Sequence, residues 1–118
     1  MNASDATPRE LSVSEDDDGR RLELMLGAVL RVSLYEAPAT GYRWQWQWQG
    51  EPGGALQMID SGYQASSSAT GSGGHAWWRL RGVSPGVTAL HARRARAWQD
   101  GPANAEFTIT VVCKAAHD

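Results

Sequence analysis

The sequence predicts an all-β protein: an immunoglobulin-like antiparallel β-sandwich of about seven or eight strands. Three observations carry this expectation. Apolar residues recur with a period of two, as in strands that bury one face and solvate the other. Clusters of Gly, Pro, Ser and Asp interrupt the chain at short intervals, the punctuation of a sandwich or barrel. No segment holds a helical apolar stripe over three turns, and helix caps are absent where one would look for them.

Eight runs follow in order. Leu11 and Val13 alternate in a short first run, and Leu22, Leu24 and Leu26 oppose Arg21 and Glu23 in the second. After Gly27, Leu30, Val32 and Leu34 alternate with Arg31 and Ser33. The fourth run, Trp44 to Gln49, alternates Trp and Gln strictly, which places Trp44, Trp46 and Trp48 on one face. Residues 56–65 hold Leu56, Met58 and Tyr63 in a less regular pattern. Residues 74–82 set Trp78 and Leu80 against Arg79 and Arg81, and Trp77, beside Trp78, must point the other way. Residues 87–94 carry Val87, Ala89 and His91. The last run sets Phe107, Ile109, Val111 and Cys113 against Thr108 and Thr110. Between runs six and seven, Ser84-Pro85-Gly86 has the residues of a type II turn, Pro second and Gly third.

The 118 residues fit one domain, expected over 9–115 with residues 1–8 disordered, and at 42% hydrophobic they can fill one core. A formal net charge of −2 argues for neither a polyanionic nor a polycationic partner. The acidic run Glu15-Asp16-Asp17-Asp18 reads as a solvated turn. Arg93, Arg94 and Arg96 are too few for a nucleic-acid footprint, so no nucleic acid is expected. No stretch has the apolar length of a membrane span, and residues 1–18 lack a signal-peptide core. The sequence therefore suits a cytoplasmic protein or the mature form of an exported one. Cys113 is the only cysteine, so no intrachain disulfide and no Cys/His metal spacing exists. Its place on an apolar face marks it as a core thiol, while His75, His91 and His117 are scattered. Nothing pairs a nucleophile with a base, and the chain reads as a binder without cofactor or metal, not an enzyme.

In a path that reverses direction at every strand, alternate connections share an end. Connections 36–41, 66–73 and 96–103 follow the third, fifth and seventh runs, so they cluster, and loops displayed by a rigid scaffold are where binding residues sit. They read Ala37-Pro38-Ala39-Thr40-Gly41-Tyr42, Thr70-Gly71-Ser72-Gly73-Gly74 and Arg94-Ala95-Arg96-Ala97-Trp98. In them, and from about Gly19 to Ala115, the chain resembles the chagasin family of cysteine-protease inhibitors. That family carries Asn-Pro-Thr-Thr-Gly-Tyr/Phe, Gly-x-Gly-Gly and Arg-Pro-Trp loops in the same order.

The resemblance implies reversible, one-to-one inhibition of a papain-like cysteine protease by a monomer whose three loops occlude the cleft without being cleaved. It points to Pro38, Ala39, Thr40, Gly41, Tyr42, Gly71, Ser72, Gly73, Gly74, Arg96, Ala97 and Trp98 as protease-binding residues. Ala37, Ala39 and Ala97 stand where the family has Asn, Thr and Pro. Loss of Asn removes a side chain that fastens a turn, and loss of Pro removes a restraint on φ. The residue chemistry agrees with this mode. Glycines without Cβ let backbone approach a narrow cleft, Pro38 limits the freedom lost on binding, and Trp98 beside Arg96 has hot-spot character. Taken alone, 71–74 also reads as a plain hairpin loop. A carbohydrate-binding or adhesive module remains the alternative, if Trp44, Trp46 and Trp48 form an exposed ladder.

Overall fold

The computed structural model describes residues 10–37, 41–46, 54–65, 73–96 and 105–115. Each of the eight runs forms a strand: β1 Glu10–Val13, β2 Arg21–Met25, β3 Val29–Glu36, β4 Tyr42–Trp46, β5 Leu56–Ala65, β6 Gly74–Gly82, β7 Gly86–Arg96 and β8 Ala105–Lys114. They build two four-stranded sheets, A with order β1-β3-β6-β5 and B with order β2-β8-β7-β4.

The alternating apolar faces meet between the sheets. Leu30, Val32, Leu34 and Leu80 from sheet A and Leu90, Phe107, Ile109 and Val111 from sheet B are each at most 1% exposed. Truncating a Leu in such a packed interior costs about 2–5 kcal/mol. Cys113 joins this core, its thiol facing the Ala55 carbonyl at 3.6 Å, and burial pushes its pKa up. It is the inert core thiol that the alternation implies.

Within each sheet, odd-numbered strands run one way and even-numbered strands the other. The sandwich is nonetheless not wholly antiparallel. β1 pairs parallel with β3, and β2 pairs parallel with β8. Most connections switch sheets instead of closing hairpins, and a strand that switches can land beside one of its own direction. In β5 the register shifts between Met58 and Asp60, a bulge that explains its irregular pattern.

Four local expectations need correcting. In β7 the inward face is Thr88, Leu90 and Ala92, whereas Val87, 62% exposed, lies with Ala89 and His91 on the outer face. Gly86 has φ +156°, not the roughly +80° of a type II turn. The 83–85 bend is tied down instead by Val83 N–H to Ala55 O at 2.8 Å and Ser84 Oγ–H to Gly54 O at 3.0 Å. A helix cap does exist: Ser14 opens a 3-10 turn, Glu15–Asp17, and forms a capping box with Asp17. Finally, the acidic run is more than a solvated turn. Glu15 accepts from the Tyr35 amide, Asp17 from Ser14 N–H at 2.9 Å and Asp18 from Thr108 N–H at 2.8 Å. β1 reaches only Val32 and β2 begins only at Thr110, so Glu15 and Asp18 occupy edge amides of β3 and β8 that no neighbouring strand covers.

Candidate functional site

Register shows how the connections converge. In sheet A, the last residue of β3 faces the first of β6, which faces the last of β5: Glu36, Gly74 and Ala65 lie in one row. In sheet B, Tyr42 at the start of β4 pairs with Arg96 at the end of β7, and Arg94 pairs with Ala105 at the start of β8. The connections after β3, β5 and β7 therefore leave from the same end. The three-residue connections 26–28 and 83–85 close the other end, joined by residues 54–55 that lead into β5; there Gly27 N–H meets Gly82 O at 2.9 Å and Val83 N–H meets Ala55 O at 2.8 Å.

A brace joins the two sheets beneath the loop end. The Tyr35 carbonyl accepts from Trp44 Nε1–H at 2.7 Å and from Arg94 Nη1 at 3.3 Å. Glu36, a buried carboxylate at 6% exposure, turns inward and faces the Trp44 amide at 3.4 Å. Its own carbonyl accepts from Tyr63 Oη at 3.4 Å. The Arg94 guanidinium lies 5.6 Å from the Trp44 ring centre, and that of Arg96 lies 4.6 Å from the Tyr42 ring centre. These are cation–π distances. Strands β3, β4, β5 and β7 are thus linked at the points where the three loops leave them.

The glycines at the second loop have a role that the sequence did not disclose. Gly73 and Gly74 are buried, not carried outside the core. Gly73 has φ +77°, a conformation that costs little only for glycine. A Cβ on it would sit 2.5 Å from Tyr35 Oη. A Cβ on Gly74 would overlap the Gln64 carbonyl oxygen and lie 2.7 Å from the Ala65 Cα. Both glycines let β6 begin tight against β5 and the brace.

Of the residues singled out by sequence, Gly41, Tyr42, Gly73, Gly74 and Arg96 fall at one end of the sandwich. Tyr42, Gly74 and Arg96 are strand-terminal residues, not loop residues; Arg96 closes β7. Pro38, Ala39, Thr40, Gly71, Ser72, Ala97 and Trp98 lie outside the described residues. Sequence reasoning missed Tyr35, Glu36, Tyr63 and Arg94. A signal for two of them was available. Continuing the inward parity of Leu30, Val32 and Leu34 reaches Glu36, and that of Leu90 and Ala92 reaches Arg94. Among the described residues no group of acidic, His and Cys side chains could hold a metal.

Fold and site together define a β-sandwich that presents loops from one braced end. The chagasin family peptidase inhibitor model (I42) matches residues 23–111, and the chain belongs to this family. It is a family of inhibitors, not of enzymes. Solved structures share the fold. The cysteine protease inhibitor EhICP2 from Entamoeba histolytica aligns with TM-score 0.79 at 20% identity, over 89% of this chain and 96% of its own. Amebosin aligns with TM-score 0.70 at 23% identity, over 89% and 98%. PbICP-C, solved in complex with falcipain-2, aligns with TM-score 0.52 at 14% identity, over 90% and 99%. No curated protein sequence matches significantly.

Proposed function

We propose that this protein is a reversible inhibitor of papain-like cysteine proteases and that its domain, residues 9–115, occludes the cleft with three loops. The observation that supports it most is the convergence of the three motif-bearing connections over one cross-braced end. Family membership and a structural neighbour seen with falcipain-2 support the same reading. In this mode, 38–42 and 71–74 lay backbone into the cleft, and Ala97 and Trp98 cover its flank, with Tyr42 and Arg96 stacked at their bases. Blockage requires only that loop backbone fit the cleft, so no scissile bond is offered to the catalytic cysteine. The brace holds the loop bases in advance, which reduces the ordering cost of association.

The test is to titrate the protein into papain and follow residual activity. Inhibition is expected to be near one-to-one and reversible on dilution, with the inhibitor intact by mass spectrometry. Undiminished papain activity at a large inhibitor excess, or cleavage within 37–42 coupled to lost inhibition, overturns the reading. The tryptophan-ladder alternative loses support, because Trp44 is only 7% exposed. Trp46 meets Trp78 edge-on at 5.3 Å, and Trp48 lies outside the described residues.

A further inference from the structure

The outer face of sheet A carries chemistry that cleft occlusion does not use. Arg31 and Ser33 of β3, His75 and Trp77 of β6, and Gln64 of β5 point away from the core. Trp77 pairs on one side with Ser33 and on the other with Gly62. Its indole leans over Gly62, where an added Cβ would come within 2.6 Å of Cζ2. The Arg31 guanidinium stands 4.7 Å from the Trp77 ring centre. Between these groups lies a shallow cavity of about 440 Å³, lined by Ser14, Arg31, Ser33, Gln64, His75 and Trp77.

Its charge is unbalanced. The neighbouring Arg79 is paired with Asp60 at 3.0 Å and Glu10 at 3.8 Å. Arg31 has no carboxylate within ion-pair distance among the described residues, and no acidic side chain lines the cavity. Glu15, next to Ser14, is engaged by the Tyr35 amide. A guanidinium held over an indole keeps N–H donors for an anion, in the planar fork that suits a carboxylate or sulfate.

We propose that this cavity binds an anionic saccharide, a uronate or sulfated sugar, with Arg31 taking the acidic group. Two hydroxyls, a carboxamide and an imidazole around the rim match a polyol, and the indole supplies an apolar wall. The volume falls in the range of small-ligand sites. An extended peptide is disfavoured because it docks on a strand edge, whereas the cavity lies on the sheet face, over the rows in which β3, β6 and β5 pair. This inference is independent of the loops.

The experiment uses the full chain, isotope-labelled, with three oligosaccharide probes: a heparin-derived hexasaccharide, an oligogalacturonate and neutral cellotriose. Inorganic sulfate and poly-glutamate serve as controls. At least one anionic saccharide is expected to shift the Trp77 indole and His75 resonances, while cellotriose and sulfate bind at least about tenfold more weakly, a gap of roughly 1.4 kcal/mol. Arg31→Gln and Trp77→Phe are each expected to weaken saccharide binding several-fold without changing papain inhibition or the melting temperature. Four results overturn the proposal: no shift with either anionic saccharide, equal binding of sulfate alone, equal binding of poly-glutamate, or undiminished saccharide binding by both variants.

Discussion

Among the described residues, side chains take a larger part in holding one end of the sandwich than the other. At the end opposite the loops the chain ties itself mainly backbone to backbone: Gly27 to Gly82, Gly82 to Ala28, Val83 to Ala55 and Leu26 to Lys114, with Ser84 Oγ–H to Gly54 O added. At the loop end Gly19 N–H meets Thr108 O at 2.7 Å, but most cross-ties come from side chains: Trp44, Arg94 and Tyr63 donate to carbonyls of Tyr35 and Glu36, and Glu15 and Asp18 receive edge amides. Backbone ties consume the turns that make them and leave little to present to a partner. Side-chain ties fix strand ends while letting the intervening segments be chosen for another purpose. Position in the chain thus matters less than which groups do the fastening.

Substitutions that strike one function of the loop end without the other test this contrast. The largest effect is expected at Gly74. Gly74→Val puts a branched side chain against the Gln64 carbonyl and Ala65, so denaturant unfolding should show at least ~2 kcal/mol of lost stability, on the scale of overpacking. An unchanged midpoint would mean that β6 does not start as tightly as described. Next comes Trp98→Ala, expected to raise the inhibition constant about thirtyfold, ~2 kcal/mol, with the melting temperature unmoved. Inhibition equal to the parent would remove the 97–104 connection from the proposed site.

The brace should show an intermediate effect. Trp44→Phe keeps most of the ring but removes the donor to the Tyr35 carbonyl, a hydrogen bond worth about 1 kcal/mol. Both stability and inhibition should fall modestly, and the same change in a chain already carrying Arg94→Ala should cost more than it does alone, because both donors share one acceptor and losing the second leaves the Tyr35 carbonyl without a side-chain partner. Strict additivity would show that the two ties act separately. Ala97→Pro should tighten inhibition slightly, by up to ~1 kcal/mol, through restricting the unbound chain.

The smallest effect concerns pH. Asp17 is held below the usual carboxylate range, chiefly by the hydrogen bond from Ser14 N–H and, less strongly, by Arg20, against opposing desolvation. A depressed folded pKa means that its stabilisation is complete above the unfolded value of 3.8 and is lost as pH falls through the lower folded value. Asp17→Asn should therefore flatten the acid limb of the stability profile slightly and leave the neutral region nearly unchanged in slope. An acid limb identical to the parent's would remove Asp17 from it.

Strand positions and most core faces were legible because period two is written directly into residues such as Leu30-Arg31-Val32-Ser33-Leu34; in β7 the alternation of Val87, Ala89 and His91 pointed to the outer face, because Ala and Thr leave the choice to packing. The grouping of the three loops was also legible, since reversal at each strand fixes which connections share an end. The brace was not. Trp44 and Tyr35 are nine residues apart, and Arg94 lies fifty-nine from Tyr35, so only the packing of one sheet on the other could bring a carbonyl and two donors together. Nor could a run of glycines tell flexible loop from tight packing; that depended on what stands above Gly73 and beside Gly74.

What the sequence determined by itself was the number of strands, the buried side of most of them and the order of the loop motifs. All of these follow from local alternation and turn chemistry. Only the tertiary structure decided that β1 and β2 pair in parallel with β3 and β8, that acidic side chains cover the exposed edge amides, and that Trp77 and Arg31 enclose a cavity on the outer face. Each of these depends on neighbours distant in the chain, and local periodicity says which face a residue takes but not what stands opposite it.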